Sequence, residues 1–339
     1  MKHAFLLSAI AVLIAFLLPM VQLGHAQEPP VAPLPSPALA ADGDVTFTAK
    51  GESGTVTTNL QSYLPGVLAG EMPALFEEQA LMAQAVAART YILHRMRHPS
   101  PNHPEADICD DPACCKAYAT EAALREQWGD SYDRYYARIA DAVLGTDGQY
   151  LTYENEPIEA VFHSSSKGAT EASEAIWNPR PYLVSVESPE TIEDVPNLVT
   201  EVVFSASELK SALSAKFPDL EFTDTPDTWL TDFQHTHSGR VDTVTVCGTA
   251  LKGTQLRSAL GLRSSAFTAE YADNVFTFTV SGYGHGVGMS QYGANVYAKQ
   301  GWGYGEILAH YYPDTQLTSV KRSVEREHGS VASKKLIML

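Results

Sequence analysis

Glu71 lies in the run Gly70-Glu71-Met72-Pro73, just ahead of a long stretch without glycine or proline. A glutamic acid can give a proton to a departing oxygen and take one back, provided its surroundings hold the acid form at the working pH. Acids are also common at helix starts, where they complement the helix dipole, so position alone leaves a solvated first-turn role open. In GYGHGVGMSQYGANVYAKQGWGYGEILAHYYPDT, glycines 282, 284, 286 and 288 bracket His285, and Ser290, Gln291 and Tyr292 follow. Such a run of glycines lets backbone come close to a ligand and places hydrogen-bonding side chains on a loop before a helix. A third segment, EAVFHSSSKGATEASEAIWN, passes from an apolar strand into His163, Ser164, Ser165 and Lys167, and reads equally well as an ordinary polar loop.

Three of the four cysteines, Cys109, Cys114 and Cys115, fall within ADICDDPACCKAY, and Cys247 stands alone on a predicted strand. Outside the cytoplasm such residues are expected to pair. Adjacent cysteines rarely bond to each other, which leaves Cys109 or Cys247 with one of the pair as the alternatives.

The elements that position these groups read as follows. TFTAKGESGTVTTNL alternates apolar and polar residues around Gly51 and Gly54, which predicts a hairpin. A long helix is predicted from Phe76 to Met96 with Pro73 in its first turn, then helices over Lys116–Trp128 and Tyr132–Ala142 and a turn at Gly145–Gly148. Strands are predicted over Tyr150–Tyr153, Ile158–His163, Val199–Phe204, Val241–Val246 and Val275–Val280, followed by helices over Gln291–Gln300 and Gly305–Tyr311. This order is α+β with a sheet-rich centre, not a repeating βαβ chain.

The chain has 339 residues, 45% apolar and 19% charged, enough for a substantial core. Its net charge of -17 disfavours nucleic acid or anionic lipid as the main partner. Lys2, an apolar run from Ala4 to Leu23 and small residues at Gly24 and Ala26 predict a signal peptide over residues 1–26, with an uncleaved anchor as the alternative. Either way the folded part is expected to be exported. Residues 27–42 hold five prolines among alanines and read as an extended linker, the fold is expected over 43–319, and 320–339 form a polar tail.

The three segments, together with SGRVDTVTVCGTALKGTQLRSALGLRSSAF, resemble the SpoIID/LytB family in pattern and order over about residues 55 to 316. The resemblance implies that family's α+β fold, with a long helix after the catalytic acid. It implies a sporulation-linked lytic transglycosylase acting on peptidoglycan glycan strands stripped of stem peptides, with Glu71 as the catalytic residue and other engulfment or wall-hydrolase proteins as possible partners. Such chemistry needs one carboxyl group, because the muramic acid C6 hydroxyl closes a 1,6-anhydro ring and replaces a second carboxylate or water. Glu71 is then expected among apolar neighbours, Met72, Leu75 and Tyr91, that favour its protonated form. His163, Ser165, His285, Ser290, Gln291 and Tyr292 are the expected substrate contacts. Some members of the family carry a zinc site at the cysteine cluster, which implies one structural zinc ion on Cys109, Cys114 and Cys115, with His103 a candidate fourth ligand. Zinc and a disulfide remain alternatives here. Relatives described as amidase modifiers make a non-catalytic wall-binding protein the second functional reading. A zinc hydrolase is disfavoured by the lack of an HExxH helix, and a thiol protease by the setting of Cys247 within a β-run.

Overall fold

The computed structural model describes residues 41–319; the predicted leader, linker residues 27–40 and the tail from 320 lie outside the described residues. The fold is α+β, as expected, and holds two hydrophobic cores. The expected boundary at residue 43 falls inside the first described element. Ala41 and Asp42 belong to an opening 3-10 turn, and Asp42 is buried against Arg89 through bonds of 2.7 to 3.0 Å.

The first core is built on helices. Strands Thr46–Gly51 and Gly54–Asn59 form the expected hairpin, and Ile108–Cys109 joins its edge in parallel. Helix α1 follows at once, Leu60–Glu71, capped by the Asn59 side chain accepting from the Ser62 N–H. The sequence analysis assigns no element here; Pro65, Gly66 and Gly70 disfavour a helix, and burial of Leu60, Leu64, Val67 and Leu68 overrides that local preference. Glu71 therefore ends a helix instead of preceding one.

Helix α2, Glu78–Arg97, is buried on nearly every face. Its alanines at 80, 83, 85, 87 and 88 leave room for neighbouring helices to pack closely. Pro73 lies in the loop before it, not in its first turn. Helices α3, Glu121–Trp128, and α4, Tyr132–Gly145, come next; residues 116–119, expected to be helical, form no regular element. Of the predicted strand Ile158–His163, only Phe162–His163 pairs, in parallel with Met289–Ser290.

The second core lies between residues 199 and 281. Strands Val199–Ser205, Phe267–Ala272 and Val275–Ser281 form one antiparallel sheet, and Leu230–His235, Val241–Val246 and Thr249–Lys252 form another. Helices α5, Ala206–Lys216, and α6, Gly253–Leu260, cover them and bury Leu209, Leu213, Leu256, Phe276 and Phe278. The chain then returns through the glycine loop to α7, Gln291–Lys299, and α8, Tyr304–Tyr311, which close the first core. No helix among the described residues is long and apolar enough to cross a membrane.

Candidate active site

Glu71 is half-buried at the end of α1. Its Oε1 accepts from the Ala117 N–H at 2.8 Å, and its Oε2 from the Gln291 amide at 3.4 Å. The glycines of α1 make the first contact possible. Segment 117–119 runs across the helix so closely that a Cβ on Gly70 would stand 3.2 Å from the Ala119 nitrogen, and one on Gly66 would stand 2.4 Å from the Tyr118 ring. The Ala119 N–H also bonds the Gly66 carbonyl at 3.0 Å. Of the apolar neighbours expected around Glu71, Met72 and Tyr91 are buried, but Leu75 is 43% exposed and shields nothing.

Next to Ala117 sits a residue the sequence did not single out. Lys116 is only 5% exposed, and its Nζ lies 3.7 Å from the centre of the Phe162 ring and 4.1 Å from that of Tyr91. Burial lowers its pKa to about 8, with the nearby Glu71 charge opposing that shift. Lys116 is also one of the charges acting on His285.

The glycine loop brings the two histidines together, with ring centres 5.8 Å apart. Gly288, at φ 70°, lies so flat on the neighbouring strand that a Cβ would meet the Val161 carbonyl oxygen at 2.0 Å, and Gly286, at φ 87°, leaves space for the Arg240 guanidinium. His285 Nδ1 accepts from the Val287 N–H at 3.1 Å, and its ring meets Trp177 edge-on at 5.3 Å. Burial, then the charges of Lys116 and Arg257, push its pKa down to about 3. His163 is held well below the usual imidazole range by burial, then by His285 and Arg240. Its Nδ1 donates to the Val287 carbonyl at 3.2 Å, so Nε2 accepts from the Ser166 hydroxyl at 2.7 Å, and Ser166 accepts in turn from Arg240 at 3.0 Å. Both rings are neutral at physiological pH.

The expected contacts thus separate. Gln291 reaches Glu71, His285 lies against His163 and Trp177, and Tyr292 packs its ring on Phe76 at 4.9 Å. His163 and Ser290 are occupied within the protein. Ser290 caps α7 through the Gly293 N–H at 3.2 Å and donates to Glu190. The Ser165 hydroxyl is buried without a partner, as is the Trp177 indole N–H. Glu190, Glu171 and Arg240 were missed. Glu190 is 3% exposed and accepts from the Ser166 N–H and the Ser188 and Ser290 hydroxyls, tying three segments together under the loop. Glu171 accepts from Thr236 and Ser238, beside Arg240, and so links the second core to the site. No spacing rule marks these lone charges; their partners come from distant parts of the chain.

His103, Cys109, Cys114 and Cys115 meet one segment away, with ligand atoms within 4.8 Å of one another. All four cysteines are unbonded thiols, and Cys247 packs instead on the second core. Sulfur atoms around a tetrahedral zinc ion stand about 3.8 Å apart, so the cluster needs little contraction to hold one. The second shell fits as well: His103 Nδ1 donates to the Ala106 carbonyl at 2.9 Å, which leaves Nε2, 3.1 Å from Cys115 Sγ, as the ligand atom. Burial pushes the Cys109 thiol up to about 12 and raises Cys115 too, so these two ligands would give up their protons to a bound cation.

The fold is α+β, and its candidate site holds a helix-terminal acid bonded by a backbone N–H and a side-chain amide. The profile of the family described as SpoIID, stage II sporulation protein, matches residues 49–153. Stage II sporulation protein D of Bacillus subtilis is 40% identical over 261 residues, covering 76% of this chain and 74% of that protein, and its Bacillus amyloliquefaciens counterpart matches equally well. A Bacillus subtilis protein named amidase enhancer is 26% identical over 315 residues, covering 40% of its own length. The chain belongs to the SpoIID family, and this membership supports a sporulation-related function.

Proposed function

We propose that the chain is an exported lytic transglycosylase that cuts peptidoglycan glycan strands at the muramic acid C1–oxygen bond. The observation that carries this reading is the placement of Glu71, half-buried and oriented by the Ala117 N–H and the Gln291 amide. Glu71 as the acid protonates the glycosidic oxygen while the C1–O bond breaks. As carboxylate it then takes the proton of the C6 hydroxyl as that oxygen bonds C1. The 1,6-anhydro ring closes, Glu71 has its proton back and no water is consumed. Gln291 and neutral His285 supply hydrogen bonds that neither add nor remove charge at the developing oxocarbenium. Zinc on His103, Cys109, Cys114 and Cys115 would knit the loop that carries Lys116 and Ala117, a bracing role that leaves the chemistry to the acid.

The test is to incubate the protein and a Glu71→Gln form with peptide-stripped strands and to read the new ends by mass spectrometry. Anhydro ends from the native chain, lost about a thousandfold in the variant, are expected. No product from either protein would move the reading to a non-catalytic wall-binding protein that acts as an enhancer; the more distant relative is named amidase enhancer.

A further inference from the structure

We propose that Lys116 reads the free lactyl carboxylate of the muramic acid unit and so selects strands from which the stem peptide has been removed. This rests on the proposed cleavage of muramyl glycan at the same site. Lys116 is 5% exposed as a residue, and its ammonium lies against two ring faces, 3.7 and 4.1 Å from their centres. Among the described residues it makes no hydrogen bond and no direct ion pair. Ring faces return only part of the hydration that a buried ammonium gives up.

The acids that act on Lys116 are committed elsewhere. Glu71 accepts from Ala117 and Gln291, the Cys115 sulfur lies 3.1 Å from His103 Nε2, and Glu159 pairs with Arg180 at 3.1 Å. His285, the imidazole within reach of its field, is neutral and already accepts from Val287. The three N–H donors of Lys116 therefore find no protein oxygen among the described residues, a state that a bound acceptor would complete.

The chemistry of the substrate identifies that acceptor. A muramic acid residue carries one ionisable group on its sugar, the lactyl carboxyl. While the stem peptide is attached this group is a neutral amide, and once the peptide is cut away it is an anion. A buried cation next to the scissile unit discriminates between the two, because a charge-assisted hydrogen bond is about twice as strong as a neutral one.

The experiment needs no variant in its first arm. Peptide-stripped strands are compared with the same strands whose lactyl carboxylates have been coupled to methylamine, and both kcat/KM and equilibrium binding are measured. The native protein is expected to favour the carboxylate strands by about 10- to 100-fold in each readout, the worth of one such bond. Lys116→Met should treat both strands alike, and Lys116→Arg should keep part of the preference. Equal handling of both strands by the native protein overturns the proposal, as does a Lys116→Met protein that weakens on both strands while keeping the preference. The binding arm stays decisive if no strand is cleaved, so a failure of the transglycosylase reading is told apart from a failure of this one.

Discussion

Gly70→Ala tests the contact that orients the proposed acid. The added Cβ would stand 3.2 Å from the Ala119 nitrogen and 3.3 Å from main-chain atoms of Ala117 and Tyr118, so segment 117–119 has to move away by a few tenths of an ångström. Two effects on stability oppose each other. Alanine is better than glycine in a helix by about 1 kcal/mol, and overpacking costs about 1 to 3 kcal/mol. The net loss is at most about 2 kcal/mol, a drop of no more than about 8 °C in melting temperature for a domain of this size. Function should suffer more. The segment that moves carries the Ala117 N–H, 2.8 Å from Glu71 Oε1. A hydrogen bond to a charged group is worth about 1.5 to 3 kcal/mol, so turnover of stripped strands should fall by about 10- to 100-fold. A thermal melt and a turnover assay on one preparation separate the two effects. A folded Gly70→Ala protein with full turnover would refute the claim that this close crossing sets up the acid.

Neutral His163 and His285 make stability depend on pH. The unfolded chain binds their protons below about pH 6.5 and the folded chain does not, so stability rises with pH up to that value and is flat above it. Denaturant unfolding should find the protein about 2 to 3 kcal/mol less stable at pH 5.5 than at pH 7; equal values would contradict the neutral assignment. Elemental analysis should find about one zinc ion per chain, lost in Cys109→Ser, with chelation lowering both melting temperature and turnover; a disulfide among Cys109, Cys114 and Cys115 in the purified protein would refute the metal reading. Asp42→Ala leaves Arg89 buried without its partner and should cost about 3 to 5 kcal/mol by denaturant unfolding, and a cost near zero would return residues 41 and 42 to the linker.

Local signals were legible where local physics decides. The hairpin at Gly51 and Gly54, helix α2 and three strands of the second core, Val199–Ser205, Val241–Val246 and Val275–Ser281, follow from alternation and from uninterrupted helix formers, whereas Leu230–His235, Thr249–Lys252 and Phe267–Ala272 carry no such clear signal. Helix α1 was hidden because Pro65 and its glycines serve tertiary packing: Gly66 and Gly70 are small so that residues 117–119 can cross them. The capping box at Ser205 and Glu208 was a readable start signal for α5 that periodicity alone passed over. Glu71 and Gln291 stand in separate motifs of the sequence, and a hydrogen bond joins them in the fold. Lys116, Glu190 and Arg240 were not found, because a lone charge shows its role only when its partners, up to about a hundred residues away in sequence, are brought to it.

The central claim is that Glu71 drives ring closure within the sugar and not attack by water. Stripped strands are digested in heavy-oxygen water and the new muramyl ends are weighed. Anhydro ends without heavy oxygen, formed by the native chain and not by Glu71→Gln, are the predicted result. Reducing ends that carry the heavy label, or equal product from the variant, would contradict the account.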